Sequence, residues 1–236
     1  MIPLRDANPS GSKPIVSTAL IGANVVVFVQ QLLLGPRLNL FIAHYGLVPA
    51  RAAWALTHPV VGLKDGFVVP LLAHMFLHGG WLHLAGNMWY LWLFGDNVED
   101  RIGHLRFLLF YLFCGAAAGI VQMLVHPLSS VPVIGASGAI AGVLGAYMLC
   151  FPYARILTLV PILFFFQFVE LPAFAVLFLW FVLQFFSGTM AITTQASGGV
   201  AWWAHVGGFI TGMLVIRRLP RCRSSRQRHY RTWFDQ

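Results

Sequence analysis

The sequence predicts an all-α membrane protein: six transmembrane helices, with a first outer loop partly embedded in the bilayer. Two observations carry this. The 236 residues are 58% hydrophobic and only 9% charged, against about 25% charged in an ordinary globular domain. Apolar runs close to the ~20 residues that span a bilayer as a helix also recur along the chain, and mean hydropathy is +0.77. Both argue against a soluble protein. The three cysteines, Cys114, Cys150 and Cys222, form no CxxC pair and no metal-like spacing, so no disulfide framework is expected.

Net charge is +8, with seven of the fifteen basic residues in one tail: Arg217, Arg218, Arg221, Arg223, Arg226, Arg228 and Arg231. Such a cluster beside an apolar span fits a cytoplasmic flank under the positive-inside rule and attracts anionic lipid headgroups. No aromatic-interleaved basic fold accompanies it, so nucleic acid is not an expected partner.

Residues 1–14 are polar and read as a short disordered cytoplasmic lead. Ile15 to Leu34 is the first span, with no small-x-small cleavage site after it, so it is read as uncleaved. Residues 35–80 mix Arg37, Arg51, Lys64 and Asp65 with apolar pieces too short to cross, the pattern of a loop partly set in the membrane. Trp81 to Val98 is the second span, and Glu99-Asp100-Arg101 with His104 and Arg106 is a short charged turn on the inner side. Phe107 to Val125 returns outward, and a fourth span begins at Ser137 and ends near Phe151. Pro152 to Glu170 faces inward, Leu171 to Phe186 crosses outward, and Ser187 to Gly199 is an uncharged loop. Trp202 to about Leu219 is the last span. The membrane domain is therefore expected over 15–219, with a basic cytoplasmic tail over 220–236.

This topology has a chemical consequence. The second, fourth and sixth spans all enter from the outer face. His83 and Asn87 lie near the start of the second, Ser137 opens the fourth, and His205 is near the start of the sixth. All four side chains are expected at similar depth below one surface. Polar groups inside a bilayer are costly and face a cavity or a partner. A serine needs an adjacent base to become a nucleophile, and His205 is the candidate. Gly138 and Gly142 on one helix, with Gly208 and Gly212 on the other, have the small-xxx-small spacing that lets membrane helices touch. His83 and Asn87, one turn apart, share a helix face; with the Ser137 amide they could donate to a developing oxyanion. The acidic residues placed on the outer side reduce to Asp65 in a loop, so a Ser-His dyad without an acidic orienter is expected.

Each residue also has a plainer reading. A serine among glycines and alanines packs helices together, a lone intramembrane histidine can be structural, and an asparagine can bridge helices. His74, His78 and His83 could hold a metal, but no carboxylate or thiolate accompanies them and no His-x-x-Glu-His pattern is present, so neither metal nor organic cofactor is expected.

Three motifs resemble one family. His78-Gly79-Gly80-Trp81-Leu82-His83-Leu84-Ala85-Gly86-Asn87, followed by Phe94-Gly95-Asp96-Asn97-Val98-Glu99-Asp100, resembles the second helix of rhomboid intramembrane serine proteases. Gly135-Ala136-Ser137-Gly138 is similar to that family's Gly-x-Ser-Gly motif. Ala204-His205-Val206-Gly207-Gly208 with Gly212 resembles its final helix. The resemblance implies a six-helix rhomboid-like bundle, Ser137 as nucleophile, His205 as general base, His83 and Asn87 around the oxyanion, and His78, Gly135 and Gly138 in support. It implies single-span transmembrane proteins as substrates, cut near their outer ends. The Phe-rich fifth span (Phe174, Phe178, Phe181, Phe185, Phe186) falls where a lateral gate is proposed for the family. One departure is Phe67-Val68-Val69-Pro70-Leu71, where many members carry a Trp-Arg pair that braces the loop. The alternative from another class is a catalytically silent membrane chaperone that binds client helices. The brief lead and lack of further domains point to a multi-pass protein of a bacterial plasma membrane with both termini cytoplasmic.

Overall fold

Hydropathy dominates the architecture. The computed structural model describes residues 1–162, 165–193 and 200–219, so the basic tail expected over 220–236 lies outside the described residues. The chain is predominantly helical. Helix α1 (Ile15–Leu33) is followed by short helices α2 (Leu38–Tyr45), α3 (Pro49–Thr57), α4 (Pro59–Gly62) and α5 (Val69–Ala73), and then by the longer α6 (Trp81–Ile102), α7 (His104–Val125), α8 (Ser137–Cys150), α9 (Ala173–Thr193) and α10 (Trp202–Ile216). Four runs among the described residues are long and apolar enough to cross a membrane: Ile15–Leu33, the broken run Pro59–Phe76, His104–Val125 and Ala173–Ile192. The first, third and fourth coincide with expected spans, whereas Pro59–Phe76 lies in the expected embedded loop. The other three expected spans fall short for physical reasons. α8 and α10, at 14 and 15 residues, are only about 21–22 Å long at ~1.5 Å per residue, against ~30 Å of hydrocarbon. α6 carries Asp96, Glu99, Asp100 and Arg101 in its last two turns.

α8 is the centre of the bundle, buried along nearly its whole length, with α7 and α10 packed on it. A β-carbon on Gly208 would overlap the Gly138 carbonyl oxygen, and one on Gly212 would overlap that of Gly142. The backbones of α8 and α10 therefore touch, as small-xxx-small spacing permits.

Three expectations are corrected. The fold is not all-α: β1 (Ile2–Asp6), β2 (Arg155–Ile162) and β3 (Phe165–Pro172) form an antiparallel sheet in the order β1-β2-β3. Short apolar runs such as Leu159–Ile162 carry no alternation that would distinguish a strand from a buried helix. Residues 1–14 are not a disordered lead. Beyond the pairing of β1, Asp6 accepts hydrogen bonds from the Tyr147 hydroxyl (2.7 Å) and Asn97 Nδ2 (3.0 Å), and Trp89 Nε1 donates to the Pro3 carbonyl. Burial pushes the Asp6 carboxyl up to about 7, with the Asp96 charge adding to the shift. Finally, Glu99-Asp100-Arg101 is not a turn but the end of α6. The chain breaks at Gly103, whose φ of +88° favours glycine.

Glu99 is fully buried and caps α1 from a neighbouring helix. It accepts from the amides of Val16 (2.8 Å) and Ser17 (2.7 Å) and from the Ser17 hydroxyl (2.7 Å), satisfying donors that a helix start leaves free. At the far end of α1, Gln31 clamps the backbone of His78: its Nε2 donates to the His78 carbonyl (3.0 Å) and its Oε1 accepts from the His78 amide (2.9 Å). The sheet thus lies at the α1 start, and the His78–Ser137 region lies at the other end.

The long loop is braced without the Trp-Arg pair. The Arg51 guanidinium donates to the carbonyls of Ala43, His44 (3.0 Å) and Gly46 (2.8 Å), capping the end of α2. Leu47 and Val133 exchange backbone hydrogen bonds (3.1 and 2.8 Å). The loop is thereby stapled to the segment that leads into Ser137.

Candidate active site

The site is built at helix starts. Gly135, with φ +122°, turns the chain in a conformation that favours glycine, and its amide is held by the His74 carbonyl at 2.9 Å. Two residues later Ser137 opens α8, where the first amides have no intrahelical acceptor and the helix dipole is positive. α10 brings His205 against it. The amide of Ala204 in the first turn of α10 donates to Gln122 Oε1 of α7 at 3.2 Å, which anchors that turn.

Ser137 Oγ and His205 Nε2 are 2.8 Å apart. His205 Nδ1 lies 2.7 Å from Gln184 Oε1 on α9. An amide oxygen only accepts, so this contact calls for the proton on Nδ1, the tautomer in which Nε2 is free to accept from the serine hydroxyl. The imidazole also contacts Trp180 and Trp202, with ring centroids 6.0 and 6.2 Å away.

His83 and Asn87 line the same cavity as Ser137, Gln184 and His205, a space of about 770 Å³ between α6, α8, α9 and α10. The Gly79 amide donates to His83 Nδ1 at 3.3 Å, leaving the proton on Nε2. A β-carbon on Gly135 would come within 2.7 Å of His83 Nε2 and 3.5 Å of Ser137 Oγ. Gly135 therefore clears the space in which the His83 donor and the serine hydroxyl meet. Asn87 is 8% exposed, and its Nδ2 is buried with no hydrogen-bond partner. Leaving such a donor unmet costs about 1–3 kcal/mol. His78 stands behind His83, with their rings edge-on at 5.1 Å. Gly138 faces Ala118 of α7.

The structure thus brings Ser137, His205, His83 and Asn87 to one cavity, with Gly135 shaping it, His78 behind it and Gly138 at the helix contact. No group of three or more His, Cys, Asp or Glu side chains that could hold a metal occurs among the described residues. The sequence reading missed Gln184, Gln122 and Gln31. The available signal was a carboxamide inside an apolar run, a group that needs a partner in hydrocarbon. Of the five aromatics assigned to the fifth span, Phe174, Phe178, Phe185 and Phe186 are exposed, whereas Phe181 stacks on Phe209 of α10 at 4.9 Å.

Such a molecule is an integral membrane protein with a serine and a histidine hydrogen-bonded in a cavity at one end of its bundle. Residues 65–221 match the family model of the Rhomboid domain. The chain belongs to the rhomboid family. It is 29% identical over 130 residues to Rhomboid protein 1, mitochondrial, of Saccharomyces cerevisiae, a match covering 52% of this chain and 38% of that protein. It is 45% identical over 78 residues to Rhomboid protease GluP of Bacillus subtilis (33% and 15%). It is also 45% identical over 67 residues to Rhomboid-like protein 11, chloroplastic, of Arabidopsis thaliana (28% and 24%). The chain spans less than two-fifths of the length of each of these relatives. Their names span mitochondria, chloroplasts and a bacterium, so they single out no one membrane.

Proposed function

We propose that this protein is an intramembrane serine endopeptidase. The observation that carries the reading is the 2.8 Å Ser137–His205 contact in a chain of the rhomboid family. Ser137 Oγ attacks the scissile carbonyl carbon while its proton passes to His205 Nε2. The Ser137 amide, Asn87 Nδ2 and His83 Nε2 donate to the oxyanion. His205 returns the proton to the leaving amine, the C–N bond breaks, and an acyl-serine remains. Water, deprotonated by the same imidazole, then attacks the acyl carbon and releases Ser137 with a carboxylic acid. Neither a metal nor an organic cofactor enters these steps.

The substrates are single transmembrane segments of other proteins, cut near their outer ends. The six long helices α1 and α6–α10 cross the bilayer, with Ser137 toward the outer face and both termini cytoplasmic, the basic run from Arg217 to Arg231 marking the inner side. Because α8 and α10 are shorter than the hydrocarbon is thick, their starts lie below the outer surface. Water reaches Ser137 through the cavity rather than through lipid. We extend this reading to a bacterial plasma membrane, with anionic lipids at the Arg-rich tail.

Cleavage of a model transmembrane substrate in liposomes, with products mapped by mass spectrometry, tests the reading. Wild type is expected to cut within or beside the hydrophobic segment, and Ser137→Ala to lose at least about 10⁴-fold in rate, as removal of a serine nucleophile does elsewhere. Equal cleavage by both, or none by either across several substrates, would favour a silent client-helix binder. Inhibition by a chelator would point to metal chemistry.

A further inference from the structure

We propose that Gln184 is the positioning residue of the Ser137–His205 pair, holding His205 in the tautomer that accepts the serine proton. This rests on the proteolytic reading and deepens it: the pair becomes a Ser-His-Gln array assembled from three helices, and the seat of α9 sets its competence.

Gln184 lies in an otherwise apolar stretch of α9, Leu177-Phe178-Leu179-Trp180-Phe181-Val182-Leu183-Gln184-Phe185-Phe186. A primary amide in such surroundings is retained at a cost unless it is paired, and its partner is His205 Nδ1, at 2.7 Å. The chemistry of that contact is directional. Oε1 carries no hydrogen, so the bond exists only when the imidazole proton is on Nδ1. In that tautomer Nε2 offers a lone pair to the Ser137 hydroxyl. In the other tautomer Nε2 is itself a donor and cannot serve as the base. The orienting acceptor of a catalytic imidazole works in this way whether or not it is charged. A neutral carboxamide suits this site, because a buried carboxylate would carry a large desolvation penalty.

The helix that carries Gln184 is the least buried of the four long apolar runs. Its Phe174, Phe178 and Phe186 side chains are exposed. It is seated on α10 by aromatic contacts, Phe181 on Phe209 at 4.9 Å and Phe185 against Trp203 at 5.7 Å. Moving α9 away from α10 withdraws the acceptor from His205 without touching Ser137.

The test uses the full chain in detergent with three variants and two readouts. Gln184→Met keeps the volume and removes the acceptor. It is expected to lower kcat about 10- to 100-fold with KM little changed, less than the ~10⁴-fold loss caused by a wrong tautomer in a charged triad. Gln184→Glu can only accept once it is ionised. It is expected to keep kcat within a few-fold of wild type at alkaline pH, and to move the acidic limb of the pH–rate profile upward, because a carboxylate beside the imidazole favours its charged form. Gln184→Leu is the second variant without an acceptor should the methionine variant unfold early. The other readout is ¹⁵N NMR of histidine-labelled protein. The His205 proton is expected on Nδ1 in wild type and Gln184→Glu, and in exchange between the two nitrogens in Gln184→Met. Wild-type kcat in Gln184→Met, or an Nδ1 proton unaffected by it, overturns the proposal. A wild type that cleaves nothing counts against the proteolytic reading instead, and the NMR signal still decides the role of Gln184.

Discussion

Gly208→Ala is expected to lower turnover by at least about 10²-fold and to destabilise the fold by about 1–3 kcal/mol. A methyl group there meets the Gly138 carbonyl oxygen, with Ala118 close on the other side at 3.4 Å. These are backbone and short side-chain atoms that cannot swing away, so α10 must move off α8. The displaced atoms are those of the proposed catalytic pair, since Gly138 follows Ser137 directly and Gly208 lies about one turn beyond His205. A 2.8 Å hydrogen bond does not survive a shift of about 1 Å, and a misplacement of that size costs about 10²-fold in well-oriented reactions. Gly22→Ala in α1 is the control: nothing lies within 4 Å of its added carbon, so activity is expected to be unchanged. Thermal unfolding and substrate cleavage measured on the two variants separate the contact from any general sensitivity of glycines. Full activity in Gly208→Ala would mean that the α8–α10 approach does not hold the pair.

Asn87→Ala is the second large effect, and its signature is opposite on the two axes. Removing one oxyanion donor costs about 10²–10³ in kcat, roughly 2.7–4 kcal/mol of transition-state stabilisation. In the resting protein, however, Asn87 Nδ2 is buried and unpartnered, so its removal also removes an unmet donor. The variant is therefore expected to be as stable as wild type, or more so, while turning over at least 10²-fold more slowly with KM little changed. Melting temperature and steady-state kinetics on the same preparation check both halves. A variant that loses stability and activity together would make Asn87 a structural bridge.

The parts of the molecule that were legible in the sequence are those governed by hydropathy and spacing. Ile15–Leu33 and His104–Val125 follow their apolar runs to within a few residues, whereas α9 runs about two turns past the expected end at Phe186. Ser137, His83, Asn87 and His205 line one cavity, and the expected topology places them together by setting the first turns of three spans at one depth. What remained hidden depends on long-range pairing. β1 is made of Ile2-Pro3-Leu4-Arg5-Asp6, a stretch with no strand signal until β2 lies beside it. Glu99 reads as one more charge in a polar turn, and only its position at the start of α1 makes it a cap. Arg51 braces the loop through carbonyls that no side-chain pattern records. Gln184 was visible as a lone carboxamide in a Phe-rich helix, but pairing it with His205 required knowing which face of α9 meets α10.

The central claim, that Ser137 is a nucleophile activated by His205, is tested most directly by reaction with a fluorophosphonate, which marks activated serines by forming a phosphorus–oxygen bond and expelling fluoride. Peptide mass spectrometry of the labelled protein is expected to find the adduct on Ser137 in wild type, none in Ser137→Ala, and a rate at least about 10²-fold lower in His205→Ala, the scale of a lost general base. An adduct on another residue, or labelling of Ser137 at the same rate without His205, would contradict it.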